Sequence, residues 1–492
     1  MAPLIPLDRH ARMPLYRQIY GGLRTAIVER QLRPGQRLPS TRSLAAEIGV
    51  SRIPVVEAFE QLLTEGYCES RVGSGTFVAA ALPGVSAAGA RGERTLARPG
   101  PGFFAHRVAP DSGAAAGTPA EPWLQGAGAF RMNQPDVGRF PVPIWARLVA
   151  RHARNPQVRE LLYGTALGLP ELREAVAEYL RTSRAVRCEA DQIMITSGSQ
   201  QAIEIAARVL LDPGSPVWVE EPGYGGVHEP LRRAGARLVP VPVDHEGLDV
   251  AAGVAREPRA RAAYLTPSHQ YPLGATMTAA RRLQALAWAQ SSGAWIFEDD
   301  YDSEYRYGNQ PIAALQGLDR DARVVYIGTF SKVLFPALRV GYLAIPADLV
   351  GRFAAVRAAM DICPPALVQT ALAELLGEGH FARHVRKMRA LYAERRGVLV
   401  AALQEELGEH LDLLGDQAGM HLVAAFRGDE DDRLLAETAA RQRLWAMPLS
   451  SCYLGPPARR GLVLGYGNTE TRLIPGGVSR LRAVLESLRN GR

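Results

Sequence analysis

Apolar and polar positions change their rhythm twice along this chain, and the changes divide it. Over Tyr16 to Glu29 apolar residues recur three and four apart, the spacing of a helix with one buried face. Leu32-Arg-Pro-Gly-Gln-Arg-Leu-Pro-Ser40 breaks that rhythm, and Ser40 is suited to cap the next helix. Thr41 to Ile48 predicts a short helix ended by Gly49. Ser51 predicts the cap of a third helix running to about Glu65. Pro54 falls in its first turn, where a missing amide hydrogen costs little. Two β-prone runs flank Gly73-Ser-Gly75 and predict a hairpin. Two short helices joined by a tight glycine turn form a helix-turn-helix, whose second helix suits the major groove of DNA. Arg52 stands near the start of that helix.

The first change comes near residue 80. Residues 80–122 are largely Ala, Gly and Pro with few large apolar side chains, too little to fold, and predict a linker. Beyond it, short continuous apolar runs alternate with helical patterns. The runs are Gln192 to Thr196, Pro216 to Glu220, Ala262 to Thr266, Ala294 to Glu298 and Arg323 to Ile327. Such strands, bounded by Pro and Gly and separated by helices, predict an α/β unit with a mostly parallel sheet covered on both faces.

Composition adjusts this picture slightly. At 492 residues the chain is long enough for two or three units, and 47% hydrophobic residues supply their cores. A net charge of +7 permits a polyanion as partner without requiring one. Cys68, Cys188, Cys363 and Cys452 are scattered and form no metal-spaced pair, so no metal site is expected and a reduced, cytoplasmic chain fits best. The opening residues lack the pattern of a signal peptide, and no run of about 18 apolar residues predicts a membrane span.

The candidate chemistry centres on lysine. Of 57 basic side chains, only Lys332 and Lys387 are lysine. Arginine replaces lysine as a charge but not as a nucleophile, because its guanidinium stays protonated. Lys332 ends Gly-Thr-Phe-Ser-Lys, just after a predicted strand. Other strand ends carry complementary groups, where open α/β sheets bind ligands. Thr196-Ser-Gly-Ser-Gln200 opens a predicted helix, Gln201 to Leu211, whose free amides suit a phosphate. Tyr224, in Glu-Glu-Pro-Gly-Tyr, is placed to stack on a flat ring. Phe297-Glu-Asp-Asp-Tyr301 ends a strand in acids, and Asp299 there suits a protonated pyridine nitrogen. Thr329 and Arg339, around Lys332, suit a phosphate, the latter with a bidentate fork.

Two resemblances carry these readings further. Pro14-Leu-Tyr16, Leu38-Pro-Ser-x-Arg42, Val50-Ser-Arg52, Glu65-Gly66 and Gly73-Ser-Gly-Thr-Phe-Val78 resemble the winged helix of the GntR family of bacterial regulators over residues 10–79. That resemblance implies DNA contacts from Arg42, Ser51 and Arg52, with Arg71 and Gly73 in the wing. From about Asn133 onward the chain resembles the fold-type I pyridoxal phosphate enzymes, the aspartate aminotransferase superfamily. For residues 123–490 this implies a large domain with a mostly parallel sheet and a smaller C-terminal α+β domain. It implies a Schiff base at Lys332, Asp299 on the pyridine nitrogen, Tyr301 on the ring oxygen and Tyr224 stacked on the ring. Gly198, Ser199, Gln200, Thr329 and Arg339 would hold the phosphate. Tyr163, in Tyr-Gly-x-x-x-Gly168, would reach the phosphate of a neighbouring subunit.

A winged helix linked to such a domain is the layout of the MocR/GabR regulators, which His269-Gln-Tyr-Pro-Leu-Gly274 and Glu298-Asp-Asp-Tyr-Asp-Ser-Glu304 also resemble. The resemblance implies a homodimer that binds operator double-stranded DNA, carries pyridoxal 5'-phosphate and senses a small amine or amino acid at Lys332. Two positions depart from the metabolic enzymes: Tyr271 stands where many have asparagine, and Val463 where many have a carboxylate-binding arginine. A working aminotransferase with a DNA-binding head, and a regulator of vitamin B6 synthesis that senses the cofactor itself, fit the same motifs.

Overall fold

The structure, a computed structural model, describes residues 7–8, 11, 13–71, 74–80, 123, 126, 128–307 and 312–490. Gly73 and nearly all of the predicted linker lie outside them. The chain divides into two compact units, up to Val108 and from Ala109.

The first unit holds three helices, α1 (Leu15–Val28), α2 (Thr41–Glu47) and α3 (Arg52–Thr64), and a hairpin of β1 (Cys68–Arg71) and β2 (Gly75–Val78). Its core comes from the predicted apolar faces: Ile19, Leu23 and Ile27 of α1 pack with Leu44 of α2 and Val55, Phe59 and Leu62 of α3. Ser40 caps α2 by accepting from the Ser43 amide at 3.1 Å. Ser51 occupies the same position before α3, but its hydroxyl makes no cap bond. The expected cap is corrected to a cap in backbone position only.

The second unit contains an eight-stranded sheet. Its strands are β3 (Ile193–Thr196), β4 (Pro216–Glu221), β5 (Arg237–Asp244), β6 (Gly247–Leu248), β7 (Ala262–Leu265), β8 (Trp295–Asp300), β9 (Val324–Thr329) and β10 (Gly341–Ala344). They lie in the order β3-β10-β9-β8-β7-β4-β5-β6. The run from β5 through β4, β7 and β8 to β9 is parallel, while β6, β10 and β3 join antiparallel. Alternate residues feed opposite faces. Ile193 and Ile195 pack into one core, and Met194 packs with Ile203 and Phe353 on the other side. A further core under β4 and β7 is anchored by Trp218 stacked on Trp288, ring centroids 3.8 Å apart.

A second, antiparallel sheet comes next in the chain, built from β11 (Leu411–Leu414), β12 (His421–Phe426), β13 (Met447–Pro448) and β14 (Gly461–Gly465) in the order β11-β12-β14-β13. The helices His380–Leu407, Asp432–Arg441 and Ile474–Asn490 accompany it. Because β4, β7, β8 and β9 run parallel, their carboxyl ends share one edge. The segments after them bring distant parts of the sequence together. Among the described residues no helix is long and apolar enough to cross a membrane.

Candidate functional site

Lys332 follows β9 by three residues and lines a cavity at that edge. Asp299 and Tyr301 reach the cavity from β8 and the turn after it, Thr329 from the end of β9, and Tyr224 from beyond β4. Ser199 enters from the start of the Ser199–Leu210 helix. The Lys332 Nζ donates to the Asn133 carbonyl at 3.2 Å. Burial pushes the Lys332 amine down to about 8, against the opposing pull of Asp302 and Asp299. The side chain is therefore close to giving up its proton, as a nucleophilic amine must.

Asp299 sits at the centre of the site. Its Oδ2 accepts from the Tyr264 hydroxyl at 2.5 Å, and its buried Oδ1 has no partner among the described residues. Burial raises its carboxyl to about 7, with the Tyr264 hydrogen bond acting in the opposite sense. A buried acceptor with no donor is costly. A protonated ring nitrogen is a donor of the kind this oxygen lacks.

Ser197, Gly198 and Arg339 meet at the opposite end. Gly198 precedes the Ser199–Leu210 helix with φ +101°, a backbone that glycine adopts readily. A Cβ there would come within 2.7 Å of the Arg339 Nη2. Arg339 itself has φ +50°, and its Nη2 donates to the Ser197 carbonyl at 2.8 Å. A guanidinium thus lies against bare helix amides, the arrangement a phosphate requires. Thr329 Oγ1 accepts from the Ser331 amide at 3.1 Å, which fixes its hydroxyl. Gln200 points elsewhere, with its Nε2 donating to the Tyr224 hydroxyl at 3.2 Å. It orients Tyr224, and its backbone amide is what remains for an anion.

The aromatic walls are Tyr224, Tyr271 and Tyr301. Tyr271 meets Tyr224 and Tyr301 edge to face, at 5.4 and 6.0 Å between centroids. The Tyr301 hydroxyl lies 3.1 Å from His269 Nδ1, itself 3.0 Å from Asp302 Oδ1. A carboxylate only accepts, so the proton between His269 and Asp302 belongs to Nδ1. With its one hydrogen spent on Asp302, Nδ1 has no lone pair left to take the Tyr301 proton, so the Tyr301 O–H is left to donate into the cavity. Val463 is buried in β14, paired across the sheet with Val423 and Met447. The Met447 sulfur lies 3.8 Å from the Tyr271 hydroxyl.

Tyr163 does not line the cavity; it is 83% exposed beside exposed Val158, Leu161 and Leu162. Tyr264, Thr266, His269, Asp302 and the Asn133 carbonyl were missed by sequence reasoning. A lone tyrosine in the small-residue strand Ala262-Ala-Tyr-Leu265 was the available signal for Tyr264. A main-chain carbonyl such as that of Asn133 leaves none.

In the first unit, Arg42, Ser51, Arg52 and Arg71 are all exposed. The Arg52 Nε donates to Thr41 Oγ1 at 3.1 Å, which joins the start of α3 to the start of α2, where Arg42 also sits. The Arg71 guanidinium lies over the Phe77 ring, 4.7 Å from its centroid.

Comparison with known proteins agrees with this division. The family of aminotransferases of class I and II matches residues 130–463, and the gntR family of bacterial regulatory proteins matches residues 15–78. The probable rhizopine catabolism regulatory protein MocR of Rhizobium meliloti is 40% identical, over 99% of this chain and 96% of its own length. The pyridoxine biosynthesis transcriptional regulator PdxR of Corynebacterium glutamicum is 30% identical over 94% of each chain. The solved structure of LysN, an alpha-aminoadipate aminotransferase of Thermus thermophilus complexed with N-(5'-phosphopyridoxyl)-L-leucine, gives a TM-score of 0.71 at 29% identity. That match covers 78% of this chain and 98% of that one.

Proposed function

This chain belongs to the MocR-type regulators, gntR-family heads joined to an aminotransferase class I and II domain, and from that premise we propose that it reports a small amine to operator DNA through Lys332. It is a pyridoxal phosphate-dependent transcriptional regulator, and the sensing step is the finer reading. One observation carries that reading: the buried Lys332 amine, its pKa lowered to about 8, and the Asp299 oxygen without a partner among the described residues face one cavity.

Bound there, the cofactor supplies a carbonyl that forms a carbon–nitrogen bond with a primary amine and a ring that draws off electrons. The chain's own groups do the rest. Burial keeps Lys332 poised between its charged and neutral forms, so it competes with an incoming amine. Asp299 would accept from the ring nitrogen, Tyr301 would donate to the ring oxygen, and Tyr224 would stack on the ring. The Gly198, Ser199 and Gln200 amides with Thr329 and Arg339 would hold the phosphate. The domain division at residues 10–79, 80–122 and 123–490 belongs to the same proposal. So does a homodimer, supported by the exposed apolar side chains of Val158, Leu161, Leu162 and Tyr163. Two subunits in sedimentation velocity, with Tyr163 of one protecting the cofactor of the other, is the expected outcome.

The test is a spectral titration of the holoprotein with amines and amino acids, repeated with operator DNA. A ligand that alters the cofactor spectrum must also alter DNA affinity, because coupling is reciprocal. Sustained conversion of amino donors and 2-oxo acids, on the order of 1 to 10³ per second, would instead make the protein an enzyme. Tyr271 in place of an asparagine and Val463 in place of a carboxylate-binding arginine favour the regulator.

Two further outcomes are expected. Cofactor uptake by apoprotein should rise with pH through about 8, where Lys332 loses its proton, and not near 10.5; stopped-flow absorbance across pH 6 to 11 checks this. The sign for stability is the same. The unfolded chain holds the Lys332 proton up to about 10.5, so apoprotein stability rises between about 8 and 10.5. Asp299→Asn keeps the shape but loses the charge, and should loosen the cofactor by about tenfold, measured by dialysis.

A further inference from the structure

A second and larger cavity, of about 710 Å³, lies in the second unit away from Lys332. That is ample for a small molecule. Its walls combine the carboxyl ends of β4 and β5 with the loops of the four-stranded sheet, through Glu221, Asp244, Gly415, Tyr453 and Arg459.

Its charges are unevenly engaged. The Glu221 carboxylate already accepts from the Leu454 amide at 2.9 Å and the Gly455 amide at 2.8 Å. Asp244 pairs with Arg281 at 2.9 Å and accepts from the Glu246 amide at 2.8 Å. The two arginines are different. Among the described residues the Arg306 side chain makes one long bond, from Nη1 to Thr276 Oγ1 at 3.3 Å, and its buried Nε has no partner. Burial and the nearby Arg184 charge hold its pKa below the usual value. Neither Arg306 nor Arg459 forms an ion pair with a described residue. The carboxylates already have their donors, whereas the buried Arg306 Nε has no acceptor among the described residues and Arg459 stands exposed at the cavity wall, so an anion is the ligand these two side chains can take. A planar fork answers a carboxylate or phosphate, and two forks answer two anionic oxygens.

We propose that this cavity is a second ligand site, for a small dianion carrying two carboxylates or one phosphate, seated on Arg306 and Arg459. Its position couples it to the first site. In one short segment Tyr271 lines the Lys332 cavity, while Leu273 and Gly274 line this one. Gly274 also abuts the four-stranded sheet's loop so closely that a Cβ would fall 2.2 Å from the Gly415 Cα. An occupant therefore touches both sheets and the segment carrying Tyr271. Binding itself does not rest on the amine-sensing reading; only the coupling does.

The probes are succinate and inorganic phosphate, titrated by calorimetry into full-length holoprotein reduced with borohydride, in a buffer free of both anions and at constant ionic strength. Reduction fixes the cofactor on Lys332, so neither probe acts by displacing it, and the phosphate cradle is filled. Saturable binding of succinate alone assigns a dicarboxylate, and of phosphate alone a phosphate-bearing ligand. Arg306→Gln should weaken that binding at least about tenfold, and Arg459→Gln, at an exposed position with little to disturb in the fold, should do likewise. Binding of neither probe, or equal binding to the Arg459→Gln protein, overturns the proposal. Failure to fix cofactor on Lys332 at the reduction step would instead strike the earlier reading.

Discussion

Lys332→Ala is expected to abolish covalent attachment of the cofactor completely while leaving DNA binding by the apoprotein unchanged. The wild-type protein, reduced with borohydride and digested, should yield one peptide with the cofactor fixed at Lys332; the variant should yield none. Scarcity is part of the reason. The only other lysine, Lys387, is exposed on the His380–Leu407 helix and lines no part of the cavity. The arginines that make up the rest of the basic complement cannot substitute, because they do not lose their proton. Lys332→Arg should therefore fail as completely as alanine, although it restores the charge. A cofactor-modified peptide from the alanine variant, or an unchanged visible spectrum, would refute the assignment. Lower operator affinity in the apo variant would mean that Lys332 also supports the head.

The legible parts of this chain were those written in local pattern. The apolar runs at residues 216–220, 294–298 and 323–327 became strands within two residues of their expected ends, because a strand buried on both faces is apolar throughout. β5 escaped notice because Pro240 and Pro242 interrupt it; both are tolerated in a strand whose neighbour on one side is only the two-residue β6. β10 was invisible for another reason: Gly341-Tyr-Leu-Ala344 is short, and its antiparallel placement between β3 and β9 depends on Arg339 turning the chain at positive φ. In the site, Lys332, Asp299 and Arg339 stood out because each follows a recognisable strand or turn. The pairing of Tyr264 with Asp299, and of His269 with Asp302 behind Tyr301, joins residues 33 or more positions apart, and no spacing rule encodes it. Ser51 shows the converse: its position before α3 was plain, but whether its hydroxyl turns inward to cap is settled by local geometry.

Arg52→Ala is expected to weaken operator binding by about 1–3 kcal/mol, roughly fivefold to 150-fold, with little change on a scrambled duplex. Arg52 is the first residue of α3, exposed, with no carboxylate partner among the described residues. Its Nε is spent on Thr41 Oγ1, which aims the side chain and leaves both terminal nitrogens for the two acceptors on a guanine edge. Ile53 beside it is 69% exposed, an apolar contact suited to a thymine methyl. The fold should not suffer, because α3 is held by Val55, Phe59 and Leu62 on its opposite face. Arg42 makes the control. Standing at the start of α2, it is placed to meet the phosphate backbone, so Arg42→Ala should weaken operator and scrambled DNA alike and lower the salt dependence by about one charge. Fluorescence anisotropy at several salt concentrations separates the two behaviours. If Arg52→Ala instead loses affinity equally for both duplexes, Arg52 grips the backbone, and base reading passes to the residues that follow it on α3.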